Sequence, residues 1–238
     1  VSAGAGIIDR TGKGLGVVWG DYDAAGDEDL YVANDDTPNF LWRNSGNGRF
    51  EEVGELTGVA LSEDGIPQAG MGTDMADYDN DGRLDLFVTN LSEETNELYH
   101  NDGGLFSNRT FISGLGPPSL LDLGCGTFFF DADDDADLDL FVANGHIIEN
   151  IALYNDTITF EQPARLYRNL GGGRFEDSSA RAGEAFRRPY VGRGAVPFDV
   201  AVHCLAHLPE QARLGRRRWL VGRHRVELEG RLQQPPRR

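Results

Sequence analysis

Short apolar segments alternate with glycine- and aspartate-rich turns along most of the chain. Three of them are near copies: Leu30-Tyr31-Val32-Ala33-Asn34, Leu86-Phe87-Val88-Thr89-Asn90 and Leu140-Phe141-Val142-Ala143-Asn144. Aromatic and β-branched residues in short runs closed by turn residues predict β-strands. After each comes an aromatic strand that also ends in asparagine: Phe40-Leu41-Trp42-Arg43-Asn44, Leu98-Tyr99-His100-Asn101 and Leu166-Tyr167-Arg168-Asn169. A glycine turn then leads to Phe50, Phe106 or Phe175 and a fourth short strand. Ahead of each copy stands a Gly-x-Gly (Gly14/Gly16, Gly70/Gly72, Gly124/Gly126), with Asp21, Asp77 or Asp131 five residues beyond its second glycine.

The steps between those aspartates are 56 and 54 residues. A period of about 50 residues signals arrays, propellers or solenoids. Four strands with tight turns favour an antiparallel meander, and such sheets repeated at this length are the blades of a β-propeller. The predicted fold is therefore all-β: a partial β-propeller with three complete blades at about 14–60, 70–116 and 124–180, and a fourth starting near 192. A stacked solenoid is the competing arrangement. Glycines just before the innermost strand suit close approach of neighbouring sheets. The third unit carries extra sequence at 145–164, a short amphipathic helix or an extra hairpin, expected to pack on its own blade on the face opposite the acidic loops.

The fourth unit begins with Gly192-Arg193-Gly194 and Asp199, but no acidic loop follows. Residues 1–186 carry net charge −25, whereas 187–238 hold 12 arginines, no lysine and 4 acids, net +8. The blades are thus assigned to 1–195, and 196–238 is an aberrant basic tail, expected to be frame-shifted or disordered, with a natural basic arm as the alternative. On the frame-shift view His203, Cys204, His207 and His224 form no site. Because the sequence starts at Val1, it is expected to be an internal fragment.

The overall charge of −17 argues against nucleic acid and anionic membrane surfaces as partners. No apolar run reaches the roughly 18 residues of a membrane span, so no membrane insertion is expected. Cys125 and Cys204 offer neither a disulfide framework nor metal-ligand spacing.

Candidate chemistry sits in the acidic loops. Asp77-Tyr78-Asp79-Asn80-Asp81-Gly82-Arg83-Leu84-Asp85 places carboxylates at positions 1, 3, 5 and 9, with glycine at 6. Alternate carboxylates on a tight turn suit a hard cation with six to eight oxygen ligands, which points to Ca2+. The expected ligands are Asp77, Asp79, Asp81 and Asp85 with the carbonyl of Arg83, and in the third repeat Asp131, Asp133, Asp135 and Asp139 with the carbonyl of Asp137. Ala136 stands at position 6 there, strained if the turn needs positive φ. The first loop keeps Asp21, Asp23 and Asp29 but has Ala25 at position 5, so it should bind weakly unless water or Asp27 substitutes. Position 12, the bidentate glutamate of an EF-hand, is Val32, Val88 or Val142, each in a strand; the EF-hand reading fails. Open sites of this kind have affinities of about 10⁻⁴ to 10⁻³ M and fill outside the cell. No nucleophile–base pair recurs, and His100 and His146 stand isolated in the sequence. Trp19, Trp42 and Tyr99 occupy strand positions and are expected in the core.

The loops, strand endings and linkers together resemble FG-GAP/VCBS repeats, as in "GKGLGVVWGDYD", "GMGTDMADYDNDGRLDLFVTN" and "FFFDADDDADLDLFVANGH". The wording is similar to the ASPIC/UnbV-domain group related to cartilage acidic protein. The resemblance implies a propeller of about seven blades in a secreted, periplasmic or cell-surface protein with roles in adhesion or matrix interaction. This sequence has three complete blades, a first loop short of one acid and no recognisable C-terminal domain. Three blades cannot close a ring, so two uncovered blade faces are expected. The function expected is a calcium-stabilised, non-enzymatic extracellular scaffold for a protein, matrix or glycan partner. The alternatives are the propeller portion of a larger secreted hydrolase, or a glycan-binding lectin.

Overall fold

A computed structural model describes residues 2–8, 11–197, 218–221 and 224–227. Three four-stranded antiparallel sheets follow one another in sequence order. The first holds β1 (Gly14–Gly20), β2 (Asp29–Asn34), β3 (Phe40–Asn44) and β4 (Phe50–Glu52). The second holds β5 (Thr73–Ala76), β6 (Asp85–Val88), β7 (Glu97–Asn101) and β8 (Phe106–Asn108), and the third β9 (Gly124–Phe130), β10 (Asp139–Asn144), β11 (Arg165–Asn169) and β12 (Phe175–Asp177). Each sheet is a meander, as its short turns demand. The protein is all-β with the sheets of a partial propeller, and no ring closes among the described residues.

Neighbouring sheets bury one another. Leu86 and Val88 of β6 pack with Tyr31, Leu41 and Tyr99 in one core, while Phe87 between them packs with Tyr78, Phe129 and Leu140 in the next. This period-2 alternation buries β6 on both faces. Burial of each such residue contributes about 1.5–3 kcal/mol relative to exposure, so a blade draws its stability from its neighbours. The second glycine of each Gly-x-Gly marks the closest approach. A Cβ at Gly16 would overlap the Met71 carbonyl oxygen, one at Gly72 the Cys125 carbonyl oxygen, and one at Gly126 the Ala195 backbone nitrogen. Glycine is required there by the backbone of the next unit.

The two ends of the array differ. Leu15, Val17 and Trp19 on β1 are 61, 61 and 54% exposed. Trp19 therefore lies on an open face, in edge contact with Phe50, and is not a core residue. Trp42 and Tyr99 are buried as expected. At the other end Phe128, Phe130 and Phe141 are covered by Phe186, with Tyr190 and Ala195 packed against them. Among the described residues the expectation of two uncovered faces is thus corrected to one, because the segment that follows the third blade folds back onto it.

The 145–164 segment leaves the end of β10 opposite the acidic loop. It contains a single 3-10 turn, Ile151–Leu153, with Ile151 and Ile158 buried and Leu153 and Tyr154 exposed. Past the third blade, β13 (Ala195–Val196), β14 (Arg218–Val221) and β15 (His224–Glu227) form a small antiparallel sheet. Apart from β14 and β15, the tail from 198 onward, with Asp199, His203, Cys204 and His207, lies outside the described residues, as does the question of a frame shift. Cys125 is a buried free thiol. No described helix is long and apolar enough to cross a membrane.

Candidate metal centre

The acidic loops join the first and second strands of each sheet: β1 to β2, β5 to β6, β9 to β10. Each turn is built by its position-1 and position-9 aspartates. In the second loop Asp77 accepts the backbone N–H groups of Asp81 and Gly82, both at 2.9 Å. Asp85, fully buried, accepts Tyr78 N–H at 3.3 Å and Asn101 N–H at 2.8 Å, tying the loop to β7. Asp21 and Asp29 make the equivalent bonds to Ala25, Gly26, Tyr22 and Asn44, and Asp131 and Asp139 to Asp135, Ala136, Ala132 and Asn169. Positions 4 and 6 are left-handed throughout: Ala24 and Gly26, Asn80 and Gly82, Asp134 and Ala136. Asparagine, aspartate and glycine tolerate that region; Ala24 and Ala136, with φ of 57° and 73°, are strained in it.

The strand-ending asparagines connect one loop to the next. Asn101 Nδ2 donates to Leu84 O of its own loop at 3.0 Å and to Tyr22 O of the preceding loop at 2.8 Å. Asn169 repeats this with Leu138 O and Tyr78 O. Asn80 Nδ2 also donates to Asp137 Oδ1 at 2.8 Å.

Three groups of predicted ligands converge, each with one ligand atom per residue and all within 4.8 Å: Asp21, Asp23 and Asp29; Asp77, Asp79 and Asp81; and Asp131, Asp133 and Asp139. A fourth group joins Asp79 and Asp85 to His100. Asp135 falls outside the third-loop group, where Arg168 pairs with Asp133 at 2.7 Å and Asp135 at 3.4 Å. The Arg83 guanidinium pairs with Asp81 and donates to Asn101 O at 2.6 Å. Asp137 donates its N–H to Asp135 and holds Asn80 through its carboxylate.

Burial shapes the electrostatics. It pushes Asp29 and Asp139 up to about 6, against their backbone hydrogen bonds, and raises Asp85 still further. Asp79 and Asp133 are also raised, by burial first and then by neighbouring carboxylates, with Arg168 opposing at Asp133. Clustered, partly buried carboxylates of this kind form a set whose charge a cation would neutralise. Asp79 Oδ1 is itself buried without a hydrogen-bond partner. The all-oxygen sets of the second and third loops fit Ca2+; the first, with Ala25 at position 5, offers fewer donors.

His100 is the residue that sequence reasoning set aside. It stands where the other two blades carry Arg43 and Arg168, and that register mismatch was the available signal. Its Nδ1 lies 3.2 Å from Asp85 Oδ1 and 3.4 Å from Asp79 Oδ2, and Nε2 lies 3.4 Å from Asp102 Oδ1. It is not isolated, because β7 pairs with β6 and delivers it against the loop. His146 is a buried packing residue whose Nδ1 accepts Ile148 N–H at 3.1 Å.

Four-stranded meander sheets, each with an acidic turn between its first and second strands, define a propeller-type repeat. The chain belongs to the FG-GAP-like repeat family, whose model matches residues 21–88 and 77–142, just over half of the sequence. Over 90 residues it is 34% identical to cartilage acidic protein 1 of Xenopus tropicalis and 36% to those of Mus musculus and Homo sapiens. These matches span 38% of this chain and 13% of each relative. Among solved structures, an Agrocybe aegerita lectin that recognises non-reducing terminal N-acetylglucosamine aligns over 70% of this chain and 38% of its own, at 18% identity and TM-score 0.39. Likeness at that level bears on neither ligand nor mechanism.

Proposed function

We propose that the protein is a repeat scaffold whose acidic loops bind calcium, acting outside the cell as a non-enzymatic binding module for a protein, matrix or glycan partner. The observation that carries this reading is the repetition of one carboxylate arrangement in register between the first and second strands of successive blades. Ions at these loops neutralise buried carboxylates and lock turns that adjoining blades grip through Asn101 and Asn169. Binding energy then adds directly to folding. The expected weak affinities, about 10⁻⁴ to 10⁻³ M, match extracellular calcium levels and support a secreted or surface location. Similarity to cartilage acidic protein 1 supports the same setting.

The test is a thermal melt with calcium and with chelator. Calcium should raise the melting temperature of the full chain, and Asp79→Ala with Asp133→Ala should remove most of that rise. An equal calcium response in the double variant overturns the assignment.

A further inference from the structure

We propose that the second loop and His100 together form a mixed nitrogen–oxygen site for a divalent transition metal of the zinc class, chemically distinct from an all-oxygen calcium loop. The proposal rests on the reading that this loop holds an ion and revises which one: a zinc-class metal takes the place of calcium in the second loop, and calcium stays with the third. Asp79, Asp85 and His100 present one ligand atom each, all within 4.8 Å. The separations of Nδ1 from the two carboxylate oxygens, 3.2 and 3.4 Å, match the edge of a tetrahedron with metal–ligand bonds of about 2.0–2.1 Å. Calcium takes oxygen donors, whereas imidazole suits zinc, copper, nickel and iron.

Three further observations favour a metal over a protonated histidine balancing the carboxylates. First, Nδ1 is buried and makes no hydrogen bond, although two carboxylate oxygens are near; an imidazolium would donate to one of them. Asp79 Oδ1 is equally buried and unpartnered. Second, the outer groups are arranged as they are around metal-bound histidines. Nε2 faces Asp102 at 3.4 Å and Asp81 at 3.9 Å, and both Asp85 oxygens are held by the backbone N–H groups of Tyr78 and Asn101. Third, a cavity of about 160 Å³ lined by Tyr78, Asp79, His100, Arg109, Ile112 and Gly173 opens beside the cluster, giving an ion an entry and water a place in its coordination. The third loop has Arg168 at the corresponding strand position, a fixed cation that cannot ligate.

The experiment titrates the metal-free full chain with zinc chloride alone and calcium chloride alone by calorimetry, for the wild type, His100→Gln, His100→Arg and Asp133→Ala. His100→Arg is compatible with the fold, since two blades carry arginine there. Zinc should bind the wild type and bind both His100 variants at least about 10-fold more weakly, while their calcium response through the third loop persists. Cobalt(II) in place of zinc should give a visible ligand-field absorption in the wild type that is lost in His100→Gln. That difference separates this site from histidines and cysteines elsewhere in the protein. Equal zinc affinity in the wild type and His100→Arg, or identical cobalt spectra, overturns the proposal. A calcium response unaltered by Asp133→Ala, with the zinc difference intact, would count against the calcium reading of the third loop and leave the mixed site standing.

Discussion

In the first acidic loop Asp21 accepts Ala25 and Gly26 N–H groups, Asp29 bridges Tyr22 and Asn44, and Ala24 and Gly26 sit at φ of 57° and 90°. In the second loop Asp77, Asp85, Asn80 and Gly82 do the same, at φ of 62° and 88° for the last two. The backbones are alike, although Ala25 replaces the aspartate at position 5. Two jobs are therefore separable. Positions 1 and 9 carry most of the turn's backbone hydrogen bonds; positions 3 and 5 add at most one each, to an N–H two residues on, and supply the charge that an ion would meet. A loop can lose the second job and keep its shape.

The largest expected effect tests the first half of that division. Asp29→Ala and Asp85→Ala each strand two backbone N–H groups and should each cost about 2–3 kcal/mol in urea denaturation with chelator present. Similar losses in both loops, regardless of calcium, sustain the shared turn-building role; a loss at Asp85 alone would break it. The second half predicts that Ala25→Asp gives the first loop a calcium response. At calcium tenfold above its dissociation constant, the added stability should be about 1.4 kcal/mol. No increment in the calcium-dependent melt would mean that position 5 is not what the first loop lacks.

A pH titration sharpens the comparison further. Burial pushes Asp29 and Asp139 up to about 6 in the folded protein, above the ordinary carboxylate value of 3.8. Between about pH 4 and 6 the folded state thus holds protons that the unfolded state has released, and stability of the ion-free protein falls as pH rises through that window. Allowing for solvent around the loops, a fall of about 1 kcal/mol is expected. Calcium should flatten the slope, and stability rising over the same range in chelator would contradict the burial argument. The smallest effect concerns position 6. Ala136→Gly relieves a left-handed alanine that its counterparts Gly26 and Gly82 avoid, and should stabilise the third loop by about 0.5–1 kcal/mol, net of the unfolded-state entropy of glycine. A loss of stability would show that the turn is not under strain there.

Much of this was legible along the sequence because the signals are local. The carboxylate spacing, the Gly-x-Gly pairs and the strand-ending asparagines repeat in register, and a turn of nine residues contains its own hydrogen-bond partners. Repetition also exposed the loop that departs, through Ala25. His100 was not legible as a site residue. It is 15 residues beyond Asp85 in sequence, and only the pairing of β6 with β7 brings Nδ1 within 3.2 Å of that carboxylate. A strand tryptophan among apolar residues reads as core from the sequence; the exposure of Trp19 depends on which sheet lies beside β1.

The sequence by itself determined the blade period, the strand order within each blade and the carboxylates of the turns, since those follow from neighbours a few residues apart. The tertiary structure decided which faces are covered, which asparagine grips the preceding loop and which residue joins the second loop from another strand. Those outcomes depend on packing between residues as far apart as Tyr22 and Asn101 or Tyr78 and Asn169, where no local preference of the backbone reaches.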